Sequence, residues 1–177
     1  KLPFSIGLGI IDLPTVLTEV GSLWRAEAES KGVALTIDIA DSPARIMGDE
    51  RKVRQIVFNL VSNAVKFTDA GSVALSARAM SVGTGEELQI AVRDSGIGIA
   101  PDQLSEVFEA FHQVEGGTTR KVGGTGLGLA ISSNLARALG GTVTAKSVPG
   151  EGSTFELTVP LERVEATRSV TRDDRET

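Results

Sequence analysis

The spacing of apolar residues changes from a helical to an alternating pattern near residue 70, and this change constrains the fold more than any other feature. Between residues 53 and 64, apolar side chains recur every three or four positions, which predicts a helix from about Asp49 to Phe67. Residues 73–79 and 88–92 then alternate around a turn at 82–85, which predicts a β-hairpin. The pattern therefore favours helices packed on a largely antiparallel sheet.

The other segments extend this mixed pattern without a strict βαβ alternation. We expect an extended segment at 4–11, a helix from Asp12 or Leu13 to Gly32, and strands near 33–39 and 45–48. A short helix at 101–108, a helix at 126–139, and strands at 142–147 and 154–161 should follow. The first of these helices has an apolar stripe of Leu13, Val16, Leu17, Val20, Leu23, Trp24 and Ala28. The last has one face made of Leu127, Ile131, Leu135 and Ala138. The predicted fold class is α+β.

Composition excludes several kinds of site. The chain of 177 residues has no cysteine, which excludes disulfides, Cys-ligated zinc and a thiol nucleophile, and suits a reducing, cytoplasmic compartment. Its one histidine, His112, excludes a multi-histidine metal site within the chain. A net charge of −5 without a basic stripe argues against a nucleic-acid surface. No apolar run reaches the ~18 residues of a membrane span. The start at Lys1 suggests a piece of a longer protein, and the charged residues 162–177 read as a linker or tail.

Two asparagines, Asn59 and Asn63, lie one turn apart in the middle of the predicted helix at 49–67. Asparagine is a poor residue for a helix interior because its side chain competes for the backbone. The two belong to a polar stripe of Lys52, Gln55, Asn59, Asn63 and Lys66. A solvated helix face is one interpretation. Because amide oxygens suit Mg²⁺ and lysines suit phosphate, a metal–polyphosphate site is the other.

Asp94 opens the sequence DSGIGI and follows an alternating strand whose period places it on the inward face. A buried carboxylate needs hydrogen bonds. It either caps neighbouring backbone amides or accepts from an amine of a ligand, and Gly96 and Gly98 would let the backbone approach that ligand.

The sequence GGTGLGL at 123–129 is a weak signal by itself. No strand precedes it, as a dinucleotide fingerprint requires, and the chain has no Gly-Lys pair of a Walker loop. What remains is a glycine loop that leads into a helix N-terminus, where free amides and the helix dipole favour phosphate.

Taken together and in order, these stretches resemble the catalytic, ATP-binding domain of sensor histidine kinases. NLVSNAVKFT at 59–68 resembles the N box and DSGIGI the first glycine box. EVFEAFHQ at 106–113 is similar to the F box, GGTGLGL to the second glycine box, and GEGSTFELTVPL from Gly150 to the closing box and strand. The resemblance covers about Asp12 to Leu161. The KFT ending and the F box distinguish it from gyrase-like and mismatch-repair relatives, and the style is similar to hybrid kinases, in which a receiver domain follows.

This resemblance implies a two-layer α/β sandwich: a mixed, mostly antiparallel sheet with three main helices on one face. Residues 1–11 would follow a dimerisation hairpin, 12–161 would form the ATP-binding domain and 162–177 the linker or tail. Residues 109–124 would form a mobile lid that closes on ATP–Mg²⁺, and Phe108 and Phe111 would pack this lid or dock the partner domain.

The resemblance also implies residue roles. Asn63 would hold Mg²⁺ through its side-chain oxygen with Asn59 beside it, and Asp94 would bind the adenine amino group. Asn59, Lys66 and Arg120 are the expected catalytic residues, with Arg120 or Lys121 reaching the γ-phosphate from the lid. Thr154 would lie near the adenine, although alternation places it opposite Phe155. The expected nucleotide-binding set is Asn59, Asn63, Lys66, Phe67, Asp94, Gly96, Gly98, Ile99, Arg120, Lys121, Gly124, Thr125, Gly126, Leu127, Gly128 and Thr154.

The resemblance further implies phosphoryl transfer to a histidine. Gyrase-like relatives carry a glutamate where this chain has Asn59, an amide that cannot act as a base, and Gln55 one turn earlier is also neutral. The γ-phosphoryl group should therefore pass to a histidine on a separate, dimeric helical hairpin, and not to water. His112 lacks that helical setting, so we expect this chain alone to bind ATP–Mg²⁺ as a monomer without phosphorylating itself.

The expected partners are the histidine-bearing domain of a homodimeric parent protein and a downstream response regulator or receiver domain. Two alternatives remain at this stage. One is a serine kinase of the anti-sigma type on the same fold, and the other is a non-catalytic, nucleotide-gated scaffold.

Overall fold

A computed structural model describes residues 7–110 and 126–164 of the chain. The helices are α1 Leu13–Leu23, α2 Arg25–Ser30, α3 Glu50–Phe67, α4 Pro101–Leu104 and α5 Gly128–Ala138. The strands are β1 Leu8–Asp12, β2 Val33–Asp38, β3 Arg45–Asp49, β4 Gly71–Val82, β5 Gly85–Asp94, β6 Thr142–Val148 and β7 Gly152–Pro160.

Five strands form the main sheet in the order β2-β4-β5-β7-β6. β2 runs parallel to β4, and the other neighbours are antiparallel. The predicted hairpin is β4–β5, in which Val82 pairs with Gly85 across a two-residue turn. Gly83 begins that turn at a φ of 59°, a conformation that glycine adopts without steric cost. The mixed, mostly antiparallel sheet of the predicted α+β class is confirmed.

The core lies between one face of this sheet and the helices. Alternate residues of β4 and β5, such as Val73, Leu75 and Ile90, are fully buried, as the alternating pattern predicted. Ile56 and Leu60 of α3 are also fully buried and belong to the same core cluster. The two-layer arrangement therefore follows from one apolar face per element.

The single helix expected from residue 12 or 13 to 32 is instead two helices, with a break at Trp24. The Trp24 amide donates to the Gly21 carbonyl at 3.1 Å, three residues back, which tightens the last turn of α1. The Trp24 ring then packs on Phe58 of α3, with 5.3 Å between the ring centroids. The break turns Leu23 outward, and its 68% exposure shows that its place in the predicted stripe was wrong.

The later helices also differ from their predicted extents. α4 ends at Leu104, before the predicted 108, and α5 begins at Gly128. Its predicted apolar face is wrong at Ile131, which is 42% exposed, and at Ala138, which is also exposed, whereas Ser132 and Ala136 are fully buried. The physical reason is that α5 packs on α3 through small residues and hydrogen bonds, as the site geometry below describes.

Asp49 begins α3 and pairs with Lys52 inside the protein. Its carboxylate accepts from the Lys52 amide at 3.3 Å, from the Lys52 Nζ at 2.7 Å and from the Gly7 amide at 3.1 Å. Lys52 is only 9% exposed, so it does not extend the polar stripe toward a ligand as its helical position suggested. Burial raises the pKa of Asp49, but the hydrogen bonds from Lys52 and Gly7 and the Lys52 charge outweigh it, and the net pKa is lowered.

We expect the Asp49 ion pair to make folding acid-sensitive. A lowered pKa in the folded state contributes stability above the unfolded pKa, and this contribution is lost as pH falls through the folded pKa. Asp49→Asn removes a carboxylate that takes up a proton on unfolding at low pH. The slope of the unfolding free energy against pH should therefore decrease, by at most about 1.4 kcal/mol per pH unit. Urea unfolding measured from pH 7 down to pH 3 tests this. Asp41→Asn, at an exposed position, is the control, and equal acid slopes for the unchanged chain and Asp49→Asn would contradict the prediction.

The small sheet of β1 and β3 gains a third strand-like segment. β1 pairs with one edge of β3. On the other edge, Ile46 bridges Arg163 in antiparallel fashion, and the Val164 amide donates to the Arg45 carbonyl at 3.4 Å. The Arg163 guanidinium also donates two hydrogen bonds to the Glu86 carboxylate, at 2.6 and 2.8 Å. The packed domain therefore extends through Val164, three residues past the predicted boundary at Leu161.

Candidate functional site

The loop at 95–100, which follows β5, is clamped on two sides. On one side, the Ile97 amide donates to the carbonyl of Phe67 at the end of α3, at 3.4 Å. A side chain at Gly96 would lie 2.3 Å from that same carbonyl, so glycine permits this close approach. On the other side, the Gly150 amide donates to the Ile97 carbonyl at 2.8 Å. The loop is thus fixed between α3 and the β6–β7 turn.

Asp94 lies at the base of this loop and is 7% exposed. Its carboxylate accepts from the Gly96 amide at 2.9 Å, and the nearby Ser153 amide also lowers its pKa. Burial raises the pKa of Asp94, and these two amides offset only part of that effect. A carboxylate has about four lone-pair sites, so two backbone amides leave acceptor capacity for a further donor.

Two serine hydroxyls extend this polar cluster. Ser147 Oγ accepts from the Ile99 amide at 2.7 Å, donates to the Gly152 carbonyl at 2.9 Å and lies 2.8 Å from Ser153 Oγ. Ser153 is 7% exposed and pairs with Asp94 in the sheet register. The sequence interpretation missed both serines, although the alternation that set Thr154 aside would have selected its neighbour Ser153.

The structure disfavours the expected place of Thr154. Thr154 pairs with Arg93 on β5 and Lys146 on β6, so its side chain lies on the sheet face opposite to that of Asp94 and Ser153. The physical reason is the period of two along β7, in which Ser153 and Phe155 point into the protein.

Asn59 connects α3 to the first turns of α5. Its Nδ2 donates to the Gly128 carbonyl at 3.0 Å and to Ser132 Oγ at 3.1 Å. Its Oδ1 accepts from Gln55 Nε2 at 3.0 Å. Gly128, one of the expected phosphate-cradling residues, is therefore held directly against the expected metal side of the site.

Asn63 and Lys66 continue the row on α3 after Asn59. Both are half-buried, and neither side chain hydrogen-bonds to any residue that the structure describes. The end of the helix is fixed instead by Lys31, whose Nζ donates to the carbonyls of Val65 at 2.7 Å and Lys66 at 3.2 Å. Asn59, Asn63, Lys66 and Phe67 all lie on α3, within its last three turns.

The side chains of this row fit Mg²⁺. Asn63 Oδ1 has no partner within the described part of the chain, and an amide oxygen is a hard ligand of the kind that Mg²⁺ accepts. Residues 7–110 and 126–164 contain no group of three or more His, Cys, Asp or Glu that could hold a metal alone. This donor set suits an ion bound by one or two protein oxygens together with phosphates and water, which is the usual state of Mg²⁺.

Several expected site residues fall outside the described ranges. These are Arg120, Lys121, Gly124 and Thr125, together with Phe111, His112 and nearly all of the expected lid. Gly126 and Leu127 are described and immediately precede α5. Phe108 packs edge-on against Phe155 with ring centroids 6.1 Å apart, which ties the segment after α4 to the core.

Comparison with known proteins agrees with this fold. The model of the family "Histidine kinase-, DNA gyrase B-, and HSP90-like ATPase" matches residues 48–163, so the chain belongs to this family. Within it, the chain is similar to sensor histidine kinases. It is 46% identical over 140 residues to Sensor protein TorS of Escherichia coli (strain K12), which covers 78% of this chain and 14% of TorS. It is 43% identical over 143 residues to Hybrid signal transduction histidine kinase F of Dictyostelium discoideum, which covers 75% of this chain and 13% of that protein.

A solved structure supports the same assignment. Full-length ShkA in complex with AMPPNP has a TM-score of 0.79 and 36% identity, over 92% of this chain and 33% of that one. The recognition of the histidine-kinase type of ATP-binding domain is confirmed. This chain spans only a small part of these relatives. None of the helices in the described ranges is long and apolar enough to cross a membrane.

Proposed function

We propose that this chain is the catalytic domain of a sensor histidine kinase, which binds ATP–Mg²⁺ and donates the γ-phosphoryl group to a histidine on a separate dimerisation domain. The observation that carries the proposal is the buried carboxylate of Asp94, which keeps acceptor capacity at the base of a loop clamped to α3. Asn63 and Lys66 lie on that same helix with side chains that hydrogen-bond to no residue within 7–110 and 126–164, so the loop and the helix together would offer an acceptor for a base and ligands for phosphates.

The adenine end of the nucleotide is assigned to Asp94. The exocyclic amine of adenine would donate to the Asp94 carboxylate. This carboxylate is buried away from water, and the neighbouring amides offset only part of the cost of burying its charge. The Ser153 hydroxyl lies on the same sheet face and would contact the base directly or through water, in place of the predicted Thr154. Gly98 and Ile99 of the clamped loop would line the base.

The phosphate end is assigned to α3 and α5. Asn63 Oδ1 would hold Mg²⁺ with Asn59 beside it, and Lys66 would face the phosphates as a point charge. The bound Mg²⁺ would neutralise phosphate charge during transfer. The amides at Gly126–Gly128 would receive phosphate oxygens at the N-terminus of α5. Arg120, Lys121, Gly124 and Thr125 would complete this end from the lid.

The chemistry of the α3 row favours transfer over hydrolysis. Gln55 and Asn59 are neutral amides that cannot take a proton from water, and neither Asn63 nor Lys66 supplies a carboxylate. Phosphoryl transfer needs mainly positioning and charge neutralisation, and both are available here. The acceptor histidine would come from a dimeric hairpin of the parent protein. A response regulator or receiver domain would take the group next, as the hybrid type of one relative suggests. The domain would work in the cytoplasm.

Titration calorimetry with AMP-PNP and Mg²⁺ tests the proposal on the full 177-residue chain. We expect binding, and we expect Asn63→Ala to weaken it by about 10- to 100-fold, because a hydrogen bond or ligand bond to a charged group is lost. The control is Asn134→Ala, the same substitution at an exposed position of α5. A chain that binds no nucleotide, or an Asn63→Ala variant that binds as tightly as the unchanged chain, would contradict the proposal. Incubation with ATP and a purified hairpin domain then tests transfer to histidine.

A further inference from the structure

Helix α5 fixes the Asn59 amide in one orientation. The Gly128 carbonyl can only accept a hydrogen bond, so the amide nitrogen of Asn59 must face it, at 3.0 Å. Ser132 Oγ lies 3.1 Å from the same nitrogen, so two acceptors on α5 face the Asn59 amide nitrogen. The Asn59 oxygen therefore points away from α5, on the side where Gln55 donates to it. That oxygen is the atom that a metal or a metal-bound water would use.

Ser132 is the side chain that completes this arrangement. It is fully buried in the middle of α5, where a hydroxyl is costly unless it is paired. It donates to the Gly128 carbonyl at 2.8 Å and accepts from Asn59, so its hydroxyl is used in both directions. The contact with Asn59 joins residues 73 positions apart in the sequence. Helix formation alone would be served as well by alanine at this position.

We propose that Ser132 is a positioning residue for the metal side of the nucleotide site, acting through Asn59. This inference rests on the proposed function, in which Asn59 lies at the Mg²⁺ and the phosphates. Ser132 and the Gly128 carbonyl together hold the amide nitrogen, and this would leave the oxygen on the side away from α5, where it could serve a metal ion or a metal-bound water. Partners of this kind, one bond removed from a metal, orient the ligand and commonly change metal affinity by about 10- to 100-fold.

The arrangement also links two parts of the site that the sequence separates. The carbonyl that receives Asn59 belongs to Gly128, whose amide lies among those assigned to the phosphates. A fixed Asn59 thus sets the distance between the metal side on α3 and the phosphate-binding turn on α5. Loss of the Ser132 hydroxyl should loosen the orientation of the Asn59 amide, while the Gly128 carbonyl still joins the two helices.

The test measures AMP-PNP affinity by calorimetry with Mg²⁺ and again with EDTA in its place. We expect Ser132→Ala to weaken binding about tenfold with Mg²⁺ and to leave binding in EDTA unchanged. A general folding defect would weaken both alike, so the ratio of the two affinities separates positioning from packing. Ser133→Ala, one residue further along the same helix, is the matched control, and Ser132→Thr, which keeps a hydroxyl, should restore the Mg²⁺ effect.

A double-mutant cycle with Asn59→Ala tests whether Ser132 acts through Asn59. Because Ser132 acts through Asn59, Ser132→Ala should have no further effect in the Asn59→Ala background. Additive losses, equal losses with and without Mg²⁺, or an unchanged Mg²⁺ affinity in Ser132→Ala would each overturn the inference. If the unchanged chain binds no nucleotide, the proposed function itself fails, and this is visible before any variant is compared.

Discussion

Asp94→Asn is expected to lower the affinity for AMP-PNP by at least about 100-fold in the presence of Mg²⁺. The substitution removes the charged acceptor for the adenine amine and can place an amide NH₂ against another donor. The variant would lose the charge-assisted hydrogen bond between the carboxylate and the adenine amine. It would also leave that amine buried without an acceptor. Calorimetry on the folded variant measures the loss. Asp102→Asn, an exposed position on α4, is the control, and near-normal binding by Asp94→Asn would place the base elsewhere.

The same substitution should have the opposite effect on folding of the nucleotide-free chain. Burial raises the pKa of Asp94, so its contribution to stability is present below the unfolded pKa and is lost as pH rises through the folded pKa. At neutral pH the ionised carboxylate therefore costs stability. The difference in unfolding free energy between Asp94→Asn and the unchanged chain should shift in favour of the variant between pH 4 and pH 7. Urea unfolding at several pH values measures this shift, and a shift of the opposite sign would refute the argument.

Gly152→Ala is expected to destabilise the folded chain by about 3–5 kcal/mol. Gly152 has a φ of 124°, and a Cβ there would lie 2.0 Å from the Asp94 carbonyl oxygen and 2.9 Å from Ser95 Cα. These neighbours are backbone atoms of β5 and its loop, which cannot move aside without breaking the β5–β7 pairing. Conformational strain and overpacking each cost about 1–3 kcal/mol, and here they act together.

Gly150 provides a matched control for this prediction. It lies two residues earlier, in the β6–β7 turn, at a φ of 81°, but a Cβ there would meet nothing within 4 Å. Gly150→Ala should therefore show the strain alone, about 1–2 kcal/mol. Urea unfolding followed by circular dichroism compares the two variants. Similar losses for both would mean that the turn moves away from Asp94 more easily than the packing suggests.

The fold could be predicted well where the local spacing of apolar residues determines which side chains are buried. The alternation of β4 and β5 and the helical spacing of α3 both reflect burial on one face, and the structure places those residues in the core. The break at Trp24 could not be predicted this way, because it depends on a ring contact with Phe58. The exposed Leu23 is a consequence of that distant contact.

The site follows the same rule. The inward direction of Asp94 and the shared row of Asn59 and Asn63 are local properties, so the period of the strand and of the helix predicted them. The roles of Ser132 and Ser153 depend on α5 meeting α3 and on β7 pairing with β5. One signal for α5 was available: Gly128, Ser132 and Ala136 recur every four residues and permit close helix packing, whereas hydropathy selected Ile131.

The arrangement around β3 has a mechanical consequence. β1 and the segment at 162–164 lie on opposite edges of β3, about 10 Å apart, and both run antiparallel to it. The polypeptide thus enters at Leu8 and leaves at Val164 from opposite ends of two parallel segments. A pull applied at these two points would run along the strands and load their hydrogen bonds in shear, all at once and not one by one. Such a pull would act on the hydrogen bonds of β3 before it reached the five-stranded sheet.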